Sequence, residues 1–396
     1  MREKTKVEFL YLSEEDMIEA GVLDAGKCVD VMGEVVSLLS KGDYLMGGKD
    51  RNAHGIMLNF PLESDIEDFP LNDSRDRRFM AMPAYLGGRF HLAGQKWYGS
   101  NGRNVQKGLP RSILMVTLND VETGQPLAYM SANLLSAMRT GAMPGLAANY
   151  LTASKTPEVV SLIGPGVVNK TCLMAYMALY PSIHTVKIKG STPTSKTAQS
   201  MKEFIEKEFP SIKNIEICAT LEEAVKEADI VSEAVSVEKK DIPVFQPEWF
   251  KKGALVITSG SMHLDRDFMN HSVTKVVDNY GMYEQYLEDM TEEDKYDKET
   301  GKKNTPWCPG CVWAEDVMAG RMEKESIQTL GGIVRGIEPG RTSEDELIIV
   351  NVGGMPILDV GWGYECYKTA LERGIGTKLK VWDTPISGLK RAIHIT

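Results

Sequence analysis

The chain has 396 residues, 42% of them hydrophobic and 25% charged, which is enough for two domains that each bury a core and leaves no disorder expected at domain scale. A formal charge of −10 repels nucleic acid and anionic membrane surfaces, so the expected ligands are small molecules. No apolar run approaches the roughly 18 residues of a membrane span, and the charged start Met1-Arg2-Glu3-Lys4 leads into a strand pattern rather than a signal-peptide core, so a cytoplasmic protein is expected.

Residues 7–12 alternate as a short strand, and Ser13 followed by Glu14, Glu15 and Asp16 marks a capped helix start. A second helix is predicted over 25–40, then strands at 79–82, 94–97 and 112–117, a turn at 119–125, and a helix over 134–151. From 156 to 280 the texture changes. Short β-branched runs at 159–163, 185–189, 215–219, 229–232, 254–258 and 275–278 alternate with helical stretches at 167–179, 194–209 and 221–228, the pattern of a parallel sheet with crossover helices. A strand at 345–350 and a helix over 358–373 follow.

The expected fold is therefore α/β, with a Rossmann dinucleotide-binding domain (153–319) inserted in a discontinuous α+β substrate and dimerisation domain (1–152 and 320–396). Two stretches look like additions: 62–78, and a charged excursion beginning at 284 that ends on Trp307-Cys308-Pro309-Gly310-Cys311-Val312-Trp313. Two Trp around a Pro-Gly turn suggest a packed lid or interface. Of the six cysteines, only Cys308 and Cys311 form a motif; without a second pair or a nearby His it reads as a structural loop before a redox or zinc site, and no metal is expected.

The segment Val159-Val160-Ser161-Leu162-Ile163-Gly164-Pro165-Gly166-Val167-Val168-Asn169 is a strand, a glycine turn and a helix start. Gly164 and Gly166 permit close approach of a pyrophosphate, and the first helical amides, at Val167, Val168 and Asn169, point at it. Asn169 stands where a small third residue is usual. Selectivity is read at the end of the second strand, where an acid would bond the ribose hydroxyls of NAD. Lys189, Gly190, Ser191 and Thr192 supply no acid there; Ser191 and Thr192 can donate to a 2′-phosphate and Lys189 or Lys196 can neutralise it, so NADP(H) is expected over NAD(H). Ser259 and Gly260, ending the fifth strand, are assigned to the same ligand.

Ser136-Ala137-Met138-Arg139-Thr140-Gly141-Ala142, followed by Ala147-Ala148-Asn149-Tyr150-Leu151, resembles the ornithine cyclodeaminase and mu-crystallin family. Met82-Pro83-Ala84-Tyr85, Gly94-Gln95-Lys96-Trp97, the Gly164 turn and the glycine-punctuated 331–340 occur in that family's order. The resemblance implies that Lys96 and Arg139 hold a substrate carboxylate beside the nicotinamide, that a third cation falls near Arg51, that Thr140 touches cofactor phosphates, and that the chain forms a homodimer through its non-Rossmann sheet. Arg139 also stands out unaided, because a charge in an Ala/Leu/Met-rich helix needs a partner, either a ligand carboxylate or an internal salt bridge.

Ornithine cyclodeaminases carry an Asp where this chain has Met262, which cannot move a proton; His263 or Asp265 is the candidate substitute. Three functions follow in order. The first is an NAD(P)-dependent oxidoreductase interconverting an amino acid or related amine and its imine. The second is a cyclodeaminating lyase with catalytic NAD. The third is a non-catalytic, cofactor-loaded accessory subunit, which the charged excursion and the Trp307 to Trp313 segment favour modestly.

Overall fold

The computed structural model describes residues 5–74, 76–290, 295–296, 301 and 303–385. Most of the charged centre of the 284–305 run lies outside them. The described residues form two eight-stranded sheets joined by helices.

The first sheet runs, in spatial order, Thr377–Trp382, Val7–Leu12, Pro126–Ser131, Ser112–Asp120, Leu92–Ser100, Arg78–Leu86 and Tyr44–Met46, with Ile56–Asn59 also pairing on Arg78–Leu86. Apart from one parallel pair, Val7–Leu12 with Pro126–Ser131, its ladders are antiparallel. Period-2 alternation buries Met80, Met82, Ala84 and Leu86 on one face of the Arg78–Leu86 strand, where the helix Pro356–Arg373 packs, itself packed against Ala25–Lys41. The opposite face is uncovered: Phe79 and Trp97 stack at 5.7 Å between centroids and, with Ile113, are 38%, 41% and 50% exposed.

The second sheet is all parallel, in the order Asn214–Ile217, Thr185–Lys189, Val159–Ile163, Ile230–Glu233, Leu255–Thr258, Ile348–Asn351, Thr274–Val277, Ile327–Thr329. Its first five strands have the Rossmann order, and the direction of winding reverses between Val159–Ile163 and Ile230–Glu233, where a ligand crevice opens. The helices Val167–Leu179 and Lys196–Glu208 are the expected crossovers.

The domain boundary expected at 319/320 is corrected. Ile327–Thr329 and Ile348–Asn351 both join the second sheet, so the dinucleotide unit extends through Asn351. All four residues of Ile348–Asn351 are buried, as befits a strand between two parallel neighbours with helices on both faces. Only then does the chain return to the first sheet through Pro356–Arg373. Trp313 is fully buried in the helix Pro309–Met318, which packs on Tyr280–Glu288, so the expected lid is a helix pair with Trp307 partly exposed at its edge.

The helix Asn133–Leu151 connects the two units and packs along Val167–Leu179. Gly141 makes this approach possible, since a Cβ there would lie 2.3 Å from the Thr171 carbonyl carbon. Sequence spacing thus places Arg139 and Thr140 two residues or fewer from the tightest contact between the helix that carries them and the helix that begins at the phosphate turn.

Candidate active site

Lys96 and Arg139 meet, as expected, but around a residue that sequence reasoning missed. Asp359, on the helix Pro356–Arg373, accepts from Lys96 Nζ at 2.9 Å and from Arg139 Nε at 3.1 Å. Ser136, one turn before Arg139, accepts from both cations through Oγ, at 3.2 Å and 3.3 Å. Three elements build this cluster: the strand Leu92–Ser100, the linking helix, and the helix that covers the sheet. All three charged side chains are almost without solvent contact.

Burial alone would raise Asp359, but Arg139 and Lys96 together hold its carboxyl below the ordinary carboxylate value. Burial, joined by repulsion from Arg139, pulls Lys96 down to about 8 against the pull of Asp359. Two cations over one carboxylate leave one buried positive charge in excess, and a ligand carboxylate is the natural counterion. The signal that flagged Arg139 also applied to Asp359, a charge inside Pro-Ile-Leu-Asp-Val-Gly-Trp.

Beside the cluster lies a cavity of about 320 Å³ bordered by His54, Met57, Met80, Tyr286 and Trp307. His54 Nδ1 is 2.7 Å from the Gly354 carbonyl oxygen, and its pKa falls to about 4 through burial first, with Lys96 and Arg139 adding repulsion. His54 is therefore neutral at pH 7. Arg51, expected as a third cation, sits instead on an exposed turn at φ +62°, and His54, three residues on, occupies the inward position.

Met262 is buried, its amide bonded to the Trp307 carbonyl at 3.0 Å. Neither candidate substitute joins the cation cluster. His263 Nε2 lies 3.2 Å from the Pro306 carbonyl oxygen. Asp265 is exposed and caps the short helix Arg266–His271, accepting from the Phe268 amide at 2.8 Å. A cap that satisfies an orphan helical amide explains this carboxylate without catalysis.

The phosphate turn fits a dinucleotide. Gly164 has φ +80°, and a Cβ there would lie 2.8 Å from the Ala234 carbonyl oxygen, whereas Gly166 faces open space with nothing within 4 Å. No side chain caps the helix Val167–Leu179, which leaves the first-turn amides of Val167 and Val168 for an anion. Val167 itself is exposed. The Asn169 side chain is fully buried and points away from the ligand side of the turn's backbone contacts. Its Nδ2 donates to the carbonyls of Ile163, Gly164 and Ser232 at 2.9, 3.0 and 3.3 Å, and its Oδ1 accepts from Ser232 Oγ at 2.8 Å. It ties the turn to the neighbouring strand, so it positions the turn and leaves ligand contact to the backbone.

Beyond the second strand, Ser191, Thr192 and Lys196 are exposed, while Lys189 Nζ donates to the Gly190 carbonyl at 2.6 Å. Thr140 Oγ1 donates to the Ser136 carbonyl at 2.6 Å. Ser259 and Gly260 are held by a second residue missed from sequence, Glu233. This buried carboxylate accepts from Thr258 Oγ1 and the Val235 amide, each at 2.5 Å, and from the Ser261 amide at 3.2 Å; burial pushes it up to about 7. It braces the ends of the fourth and fifth strands against each other. Cys308 and Cys311 are buried free thiols, and among the described residues no group of His, Cys, Asp and Glu is arranged to hold a metal ion. Among them, too, no helix is long and apolar enough to cross a membrane.

Comparison with known proteins agrees with this architecture. The chain is 27% identical over 379 residues to N-((2S)-2-amino-2-carboxyethyl)-L-glutamate dehydrogenase of Staphylococcus aureus, covering 95% of this chain and 99% of the relative. It is 31% identical over 303 residues to alanine dehydrogenase of Archaeoglobus fulgidus, covering 76% and 83%. Among solved structures, an archaeal alanine dehydrogenase dimer with bound NAD superposes with a TM-score of 0.72 at 25% identity, covering 95% of this chain and all of the other. The profile of the ornithine cyclodeaminase/mu-crystallin family matches residues 23–374, and the chain belongs to that family.

Proposed function

We propose that this protein is a nicotinamide-dinucleotide-dependent oxidoreductase that interconverts an amino acid, or a related amine, and its imine. The observation that carries this reading is the pair of buried cations, Lys96 and Arg139, left one charge in excess over Asp359 and close enough to His54, which lines the cavity, to repel its protonated form. A bound nicotinamide would supply the hydride acceptor or donor. Gly164, Gly166 and the amides of Val167 and Val168 would hold its pyrophosphate, while Lys96 and Arg139 fix the carboxylate, and with it the direction of the neighbouring carbon–hydrogen bond. Two relatives that are dehydrogenases of amino acids support the same class. Buried Met262 gives no proton carrier for ring closure. The test is absorbance at the reduced nicotinamide band with a panel of amino and cyclic imino acids; absence of turnover with every one defeats the proposal.

The cofactor is proposed to be NADP(H) before NAD(H), because Ser191, Thr192 and Lys196 are exposed where an acid would otherwise select the ribose hydroxyls. The dissociation constant for NADPH is expected to be at least about tenfold below that for NADH, about 1.4 kcal/mol. Equal constants, or tighter NADH, would overturn the preference.

Lys96 gives the site a pH dependence. With its pKa at about 8 in the free protein, carboxylate binding requires the ammonium form and weakens as pH rises through that value. Substrate affinity measured from pH 6.5 to 9.5 should be flat at the acid end and fall on the alkaline side. A profile without that fall removes Lys96 from the role.

The uncovered face bearing Phe79, Trp97 and Ile113 is proposed as the homodimer contact, in line with the relative crystallised as a dimer. Trp97→Glu should convert a dimer to monomers in sedimentation; an unchanged dimer would place the contact elsewhere. Six free, buried cysteines suit a reducing compartment such as the cytoplasm.

A further inference from the structure

At the edge of the first sheet, away from the cation cluster, a second cavity of about 390 Å³ is walled by Asp76, Arg78 and Arg111 on one side and Ser236 on the other. Arg78 opens the strand Arg78–Leu86, and Arg111 directly precedes Ser112–Asp120. The register Arg78↔Ser100↔Ser112 puts both arginines at the same end of three adjacent strands. Ser236 comes from the loop after the strand Ile230–Glu233 of the other sheet, two residues past the Ala234 carbonyl that backs the Gly164 turn. The cavity therefore lies across the crevice between the two units.

Among the described residues two guanidinium groups share one carboxylate here too, in a more open setting than the first cluster, with the Arg78 and Arg111 side chains 33% and 51% exposed. Arg78 Nη1 pairs with Asp76 Oδ1 at 2.7 Å and Arg111 Nε with Asp76 Oδ2 at 3.3 Å, two guanidinium groups on one carboxylate. Arg78 Nε is shielded from solvent and has no hydrogen-bond partner among the described residues. Arg77, in the same wall, is held through Nη1 by the Leu71 carbonyl and Asp73. A buried guanidinium nitrogen without an acceptor costs free energy until one arrives, and a carboxylate or phosphate oxygen is the acceptor it fits.

Lys96 pairs in register with Met82, four residues along the strand from Arg78. An even offset keeps Arg78 on the same face of the sheet as Lys96, with their levels about 13 Å apart at roughly 3.3 Å per residue. Long side chains from both ends shorten the gap that a ligand must span.

We propose that Arg78 and Arg111 form an anion subsite for a second carboxylate on the substrate, so that the enzyme acts on an extended dicarboxylic amino acid held at both ends along one face of the sheet. The inference rests on the proposed amino-acid chemistry and narrows its substrate class. The same arginines could instead meet the phosphates of the dinucleotide, and the experiment separates the two.

Binding of L-2-aminopimelate and of its monocarboxylic counterpart L-2-aminoheptanoate is measured by calorimetry on the full-length protein saturated with oxidised dinucleotide, alongside binding of the dinucleotide itself. The wild type should prefer the dicarboxylate at least tenfold. Arg111→Gln should erase that preference without weakening the dinucleotide, and Arg111→Lys should restore part of it. A wild type that binds both amino acids equally overturns the inference while leaving the proposed function standing. An Arg111→Gln variant that keeps the preference and loses dinucleotide affinity also overturns it, assigning the pocket to the cofactor. If the wild type binds neither dinucleotide nor any amino acid, the underlying functional reading fails with it.

Discussion

Asp359→Asn is expected to destabilise the protein by about 3–5 kcal/mol, because it removes the only carboxylate among the described residues bonded to Lys96 and Arg139 and leaves two buried cations facing each other. The net charge of the cluster rises from one positive to two. Part of the cost is recoverable, since Lys96 already titrates at about 8, below its ordinary range, and loses the partner that holds it up. Its folded pKa in the variant drops further. A lysine whose folded pKa is depressed binds fewer protons in the native than in the unfolded state, so stability rises with pH above the folded value. In the variant this rise begins at lower pH than in the wild type, and the deficit should be larger at pH 6 than at pH 9. Urea denaturation at the two pH values measures both; identical midpoints for variant and wild type would show that Asp359 is not the counterion.

Arg139→Gln is expected to do little to the fold and far more to the chemistry. Removing this cation leaves Lys96 and Asp359 as a balanced pair, so the denaturation midpoint should stay close to that of the wild type. The positive charge in excess, proposed to receive the substrate carboxylate, is gone. Loss of one partner in a desolvated charge-assisted pair costs about 3–4 kcal/mol, a fall of about 10²–10³ in kcat/KM. Arg139→Lys should recover little, because an ammonium cannot present the planar fork that grips Asp359 and a ligand at once. Dinucleotide affinity should change by less than about threefold, since the backbone turn around Gly164 is untouched. A variant with near-normal kcat/KM would dissociate Arg139 from substrate binding.

The two outcomes form a contrast that no generic loss of packing reproduces. One substitution raises the buried charge and harms stability, whereas the other neutralises it and harms turnover.

How far the sequence carried this picture depended on whether a signal was local. The helix Val167–Leu179 and the strands Val159–Ile163 and Thr185–Lys189 have the bounds that their apolar runs and glycine turn predict. Ser13 caps its helix through a reciprocal box with Asp16. The short edge strands Ile56–Asn59 and Thr377–Trp382 escaped notice because neither has a buried face, every residue in both being exposed. The strand Ile348–Asn351 was found but assigned to the wrong domain. Its unbroken apolar run was the available clue, since a strand in an antiparallel sheet with one wet face alternates, and this one does not.

By itself the sequence determined the strand, glycine turn and helix at Val159 to Leu179 and the family, and it singled out Lys96 and Arg139 as candidate site cations, because each depends on a few adjacent residues. Only the tertiary structure decided what those cations face. Asp359 lies 263 residues from Lys96 and 220 from Arg139, and His54 reaches the Gly354 carbonyl across 300. Such pairings carry no periodicity and no local propensity; they follow from which helix covers which strand. For the same reason Asp265, plausible as an acid in one dimension, proved to be a helix cap, and Asn169, plausible as a ligand, proved to be the clamp beneath the turn.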